Sequence, residues 1–158
     1  LAELSLKGKG IPRAQALLNG GAARYRTYLT ADGYSVALGA VEPKFWQAFC
    51  KAAGREDWIS RIDEDLPQLS LQGEVQALFS ALTLAECNAR FGGVDCCFNQ
   101  VLALEEAVQT PHIRARKLVT KNVSGEWQAL YPAYVDGEAP LTRPAFREVD
   151  PGEITIKS

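Results

Sequence analysis

The sequence predicts an α+β fold, and two observations carry that expectation: β-prone runs come in pairs around turn residues, and amphipathic helical runs are grouped between those pairs. Helices grouped in this way, instead of alternating with single strands, favour α+β over a doubly wound parallel sheet. At 158 residues the chain has the length of one domain with attached tails. A chain of that size removes about 68–70% of its unfolded surface from water, so neither disulfides nor a metal is required to hold it together.

Residues 1–24 are rich in glycine, alanine and basic side chains with weak periodicity, and read as a lead-in. The runs Arg24–Leu29 and Tyr34–Val41 flank Asp32-Gly33, a dipeptide suited to positive φ, and predict a β-hairpin. In Pro43–Ala53 the residues Phe45, Trp46, Phe49, Ala52 and Ala53 share one helical face, with Pro43 opening the helix and Gly54 ending it. A polar stretch containing Pro67 follows. Helical spacing resumes with Leu71, Val75, Leu78, Phe79 and Leu82. Thr83 and Glu86 form a capping-box pattern for a helix through Phe91 that stops at Gly92-Gly93.

"CCFNQVLAL" reads as a buried strand, with Cys96 and Cys97 on opposite faces, and "LEEAVQ" as a short helix. Thr110-Pro111 caps another before "HIRAR". Leu118–Val123 and Trp127–Tyr131 predict a second hairpin around Ser124-Gly125. Beyond it, Pro132, Pro140, Pro144 and Pro151 argue against regular structure and for an extended arm. The domain organisation expected is a lead-in over 1–20, a small α+β domain over 21–131 and a proline-rich arm over 132–158.

A formal charge of −2 gives no general attraction to phosphate backbones or anionic membranes, so neither nucleic acid nor a membrane is an expected partner. No apolar run is long enough to cross a bilayer. The four cysteines include no CxxC pair and the single His112 is remote from them, so no metal site is expected. They read as reduced thiols packed as small hydrophobes in a cytoplasmic protein. The absence of methionine suggests a piece of a longer polypeptide.

Glu42 is the residue that calls for explanation. It precedes Pro43 where a β-like run becomes helical, a position that usually takes Ser, Thr, Asp or Asn. One reading is a helix starter, tolerated because the positive end of the helix dipole favours a carboxylate. The other is a carboxylate fixed between two rigid elements and aimed at a histidine or substrate proton supplied elsewhere.

The stretch "NGGAARYRTYLTADGYSVALGAVEPKFWQAFCKAAGRED" resembles the start of the small domain in the alpha-methylacyl-CoA racemase branch of the family III CoA-transferases. "LTLAECNARFGGVDCCFNQVLALEEAVQTPHIRARKLV" and "YPAYVDGEAPLTRPAFREV" are similar to the same family, so the resemblance spans residues 17–150. It implies a two-domain enzyme interlocked with a second copy of itself as a homodimer. A large domain absent from this sequence would bind coenzyme A and carry the principal catalytic groups: a histidine and an aspartate in racemases, a nucleophilic aspartate in transferases. No metal or redox cofactor is implied; coenzyme A enters as part of an acyl-CoA substrate.

The same resemblance matches Glu42 to the small-domain glutamate that orients the catalytic histidine. It also sets Gly20 and Gly21 where transferases carry a glycine-rich, substrate-binding loop; the residues alone also allow a plain flexible connector. One departure is Gln100, where most relatives have a proline before the valine. The expected function is racemisation of 2-methylacyl-CoA thioesters by the longer polypeptide, the isolated chain being inactive. CoA transfer between carboxylic acids and a non-catalytic dimerisation module are the alternatives.

Overall fold

The computed structural model describes residues 2–138 and 140–145. They fall into two compact units, one up to Val101 and the other from Leu102.

The first unit is built on a three-stranded antiparallel sheet in the order β1 (Tyr25–Leu29), β2 (Ser35–Gly39), β3 (Phe98–Gln100). Tyr25 pairs with Gly39 and Leu29 with Ser35, while Val36, Ala37 and Leu38 face Gln100, Asn99 and Phe98. Strand alternation therefore sends Tyr28, Val36, Leu38 and Phe98 into the core, and leaves Tyr25, Thr27, Ala37 and Asn99 on the opposite face. The hairpin stands where the sequence puts it, but its loop is wider than a two-residue turn. Thr30 N–H donates to Tyr34 O at 2.9 Å, Gly33 N–H to Thr30 O at 3.1 Å, and only Gly33 has positive φ, at 82°. That is a three-residue loop ending in a glycine bulge.

The buried face is covered by α2 (Pro43–Ala53), α3 (Leu69–Ser80) and α4 (Leu84–Phe91), whose apolar stripes meet in one cluster. The α2 bounds match the sequence expectation. Its heart is aromatic: Phe49 lies 5.2–6.4 Å, ring centre to ring centre, from Trp46, Trp58, Phe79 and Phe91. The Thr83 capping box forms as expected, Glu86 N–H donating to Thr83 Oγ1 and Thr83 N–H to Glu86 Oε2 at 2.7 Å. The hairpin loop adds a further cap, because Asp32 also accepts from Leu84 N–H at 3.0 Å.

The polar stretch before Pro67 hides a 3₁₀ helix, Glu56–Asp63, that buries Trp58 completely. Trp58 Nε1 donates to Glu74 at 3.0 Å, and Arg55 and Arg61 donate to the same carboxylate at 2.8 and 2.7 Å. Led by Arg61, these donors hold the Glu74 carboxyl down at about 2. A folded value below the unfolded one means that this stabilisation is complete above about pH 4.5 and is lost as the pH falls towards 2. Glu74→Gln should therefore flatten that acid limb in urea unfolding measured across the pH range. At neutral pH it should cost about 1 kcal/mol, the scale of a charge-assisted bond at a partly exposed site.

Several lesser expectations need correction. The strand expected from Cys96 to Leu104 is only Phe98–Gln100, because Cys97 takes a left-handed φ of 55° before it and α5 (Leu104–Ala107) begins soon after. Cys96 is buried and Cys97 half-buried, so they do face differently, but outside the strand. The lead-in holds a short helix, α1 (Ala2–Lys7), and a 3₁₀ turn, Leu17–Asn19, and it ends in Ala22 and Ala23, both fully buried.

The second unit contains α5, α6 (Pro111–Arg116) and the hairpin β4 (Val119–Lys121)–β5 (Trp127–Ala129). Its loop repeats the first: Asn122 N–H donates to Glu126 O at 3.0 Å, with Gly125 at φ 82°. The proline-rich tail is not wholly irregular. Val135 and Glu138 exchange backbone bonds of 3.2 and 2.8 Å around Asp136-Gly137, both at positive φ, a tight two-residue turn. Arg143 returns to β5, where Gln128 accepts from its N–H at 2.8 Å and donates to its O at 2.9 Å. The rest of the expected arm, residue 139 and 146–158, lies outside the described residues.

Candidate functional site

On the face of the sheet turned away from the core, the central strand carries Ala37 and Gly39, which leave a floor almost without side chains. Tyr25 and Thr27 of β1 stand on one side, Cys97 and Asn99 on the other. Together with Leu18 and Gly20 they line an open cleft of about 730 Å³.

Gly20 and Gly21 are not a flexible connector. Gly20 has φ 97°, and its carbonyl accepts from Arg26 Nη1 at 2.9 Å and Gln72 Nε2 at 3.2 Å. The Gly21 carbonyl accepts from Gln72 Nε2 at 2.6 Å and from Gln68 N–H at 2.9 Å. Gly21 is buried, and a Cβ there would come within 2.7 Å of the Ala16 and Gln15 backbone, so only glycine fits. Gly20 therefore forms part of the cleft rim, and Gly21 lies beneath it.

Glu42 sits three residues beyond Gly39, the end of β2, whereas Gly20, Gly39 and Cys97 line the cleft. It is the N-cap of α2 by position, with φ −74° and ψ 143°, but its side chain makes no capping bond and is exposed. The helix is started by Pro43 and the backbone alone. A carboxylate on a rigid junction is thereby left without a structural bond among the described residues. The Cys97 thiol feels it: burial first, then Asp95 and Glu42, push the thiol up against the opposing pull of Lys44. Burial pushes Cys50 up to about 12, and raises Cys87 and Cys96 as well. None of the four is an activated nucleophile. His112 is exposed on α6.

Of the residues singled out in the sequence, Gly20 lines the cleft, while Glu42 is not among its lining residues and is linked to it only through its charge, which the cleft residue Cys97 feels. The sequence reading missed Gln72, Arg26, Cys97 and Asn99. The repeat of glutamines at 68, 72 and 76 was the available signal for the first. Among the described residues there is no group of three or more His, Cys, Asp or Glu able to hold a metal, and no helix is long and apolar enough to cross a membrane.

The chain as a whole is similar to known proteins. The family model described as CoA-transferase family III matches residues 2–144. The mouse alpha-methylacyl-CoA racemase is 34% identical over an alignment of 153 residues that covers 92% of this chain and 38% of that protein. The human alpha-methylacyl-CoA racemase is 37% identical over 112 residues, 66% of this chain and 28% of that protein. A Caenorhabditis elegans CaiB/baiF CoA-transferase family protein is 35% identical over 119 residues, 72% of this chain and 32% of that protein. The solved hypothetical protein Rv3272 of Mycobacterium tuberculosis superposes with a TM-score of 0.60 at 21% identity, over 79% of this chain and 36% of that one. The chain thus spans less than two fifths of the length of the curated relatives it matches.

Proposed function

The chain belongs to CoA-transferase family III, and from that membership we propose that it is the small-domain part of an acyl-CoA enzyme that racemises 2-methylacyl-CoA thioesters by 1,1-proton transfer. The observation that carries this reading is Glu42, an exposed carboxylate at the junction between β2 and α2, with no structural bond among the described residues and near enough to the cleft-lining Cys97 for its charge to be felt there.

The chemistry explains why such a group is wanted. The α-proton of a thioester is weakly acidic, and a neutral imidazole removes it only when held in one tautomer and one orientation. Glu42 supplies that restraint to a histidine from the remainder of the polypeptide, and its negative charge favours the imidazolium formed after proton abstraction. A protonated aspartic acid, also from the remainder of the polypeptide, stands on the opposite side of the α-carbon and gives its own proton to the other face of the enolate; the proton now on the histidine and the one the aspartate has lost re-equilibrate with solvent. Gly20, on the cleft rim, lets the thioester approach the backbone closely. The reaction uses no metal or redox cofactor, coenzyme A being the carrier portion of the substrate. Two such polypeptides interlock as a homodimer.

The test is solvent exchange. The longer polypeptide should incorporate deuterium at the α-carbon of a 2-methylacyl-CoA, whereas the 158-residue chain alone should incorporate none. The family description and the C. elegans relative favour a second reading, CoA transfer between carboxylic acids. Transfer of CoA to an added carboxylate without α-exchange would establish that reading and remove the first.

A further inference from the structure

Gln68, the N-cap of α3, and Gln72 and Gln76 within it follow one another at i, i+4 and i+8, a single stripe. Each has at least one amide atom bonded to the backbone leading into β1 or to β1 itself. Gln68 Oε1 accepts from Ala23 N–H at 3.0 Å. Gln76 accepts from Leu29 N–H at 3.3 Å and donates to Leu29 O at 2.8 Å, pairing both backbone groups as a neighbouring strand would. Since β1 is an edge of the sheet, Gln76 occupies the place of a neighbouring strand at Leu29.

Gln72 does something more local. It is 6% exposed, its Nε2 reaches both glycine carbonyls, and its Oε1 accepts from Arg26 Nη1 at 2.7 Å. Arg26 Nη1 also donates to Gly20 O, so Gln72, Arg26 and Gly20 form a closed ring of hydrogen bonds. Arg26 pairs with Leu38, and so points to the helix side of the sheet while Tyr25 and Thr27 stand on the cleft side. The ring holds the cleft rim from behind.

We infer that Gln72, together with Arg26, is a positioning residue for the cleft: it fixes the Gly20 carbonyl and therefore the rim that meets the acyl-CoA. The inference rests on the function proposed above. Gly20 is free to take many backbone conformations, and the buried amide of Gln72 selects one, because any other leaves its own donors without partners. Gln76 is the internal control. It belongs to the same stripe but holds Leu29, which pairs with Ser35 at the far end of the hairpin from Gly39.

Two arms test this, one of them independent of activity. In the 158-residue chain, Gln72→Leu should speed amide exchange at Gly21, whose N–H donates to Ala16 O at 2.8 Å, by about tenfold, while Gln76→Leu speeds Leu29 and leaves Gly21 unchanged. Gln72→Glu, which keeps the acceptor for Arg26 and loses the donors to the glycines, should behave as Gln72→Leu does, and serves if the leucine variant does not fold. In the longer polypeptide, Gln72→Leu should raise KM for a 2-methylacyl-CoA about tenfold with kcat within about threefold. Gln76→Leu should leave KM within about twofold even where its Tm falls as far. Unchanged exchange at Gly21, or a KM rise shared by Gln76→Leu, overturns the inference. A wild-type polypeptide without α-exchange overturns the functional reading instead; the positioning role then stands or falls with exchange at Gly21.

Discussion

Replacing Glu42 by glutamine should lower the rate of α-hydrogen exchange in the longer polypeptide by about 100-fold or more, within the range that a positioned acid or base contributes to a proton transfer. The same change should leave stability within about 0.5 kcal/mol, because the side chain is exposed and makes no capping bond that could be lost. The separation of the two effects is what makes the variant informative. A glutamine keeps the size and hydrogen-bonding capacity but not the negative charge that favours an imidazolium, so kcat should fall far more than KM rises. Should kcat hold and only the melting temperature move, Glu42 would be a helix starter and nothing else.

The second large effect is on folding. Phe49→Ala should cost about 3–5 kcal/mol in urea unfolding, at the upper end for an aromatic deletion. Phe49 is fully buried and packs against Trp46, Trp58, Phe79 and Phe91, which come from three α-helices and the 3₁₀ helix Glu56–Asp63, so no single neighbour can move in to refill the space. Against a typical total of about 5–15 kcal/mol, that leaves the variant close to unfolding. Leu104→Ala, at a side chain 75% exposed, should cost less than about 0.5 kcal/mol. A loss at Phe49 no larger than at Leu104 would mean that the aromatic cluster is not the centre of the cooperative unit.

The elements legible in the sequence are those held by local forces. The bounds of α2 follow from Pro43, Gly54 and the spacing of its apolar residues, and the start of α4 from Thr83 and Glu86, all signals contained within one or two turns. Trp58 was not legible, because an eight-residue 3₁₀ helix lacks the 3.6-residue period and lies among charged residues, of which Arg55 and Arg61 turn out to serve Glu74. Asp32-Gly33 and Asp136-Gly137 are the same dipeptide in two different turns. The first lies within a loop whose Asp32 is drawn towards the start of α4, while the second closes on itself. The site was half legible for the same reason. Glu42 stands out at a junction, whereas the clamp on Gly20 and Gly21 comes from Gln72, 51 residues from Gly21, and no local pattern encodes that distance.

The indole groups are divided between the two units in a way that gives each its own optical reporter. Trp46 and Trp58 are sealed in the first unit, 1% and 0% exposed, and Trp127 is 53% exposed in the second. An aqueous quencher such as iodide reaches only the last of these in the native state, so emission that survives quenching tracks the aromatic cluster while the quenched fraction tracks whatever comes to cover β5.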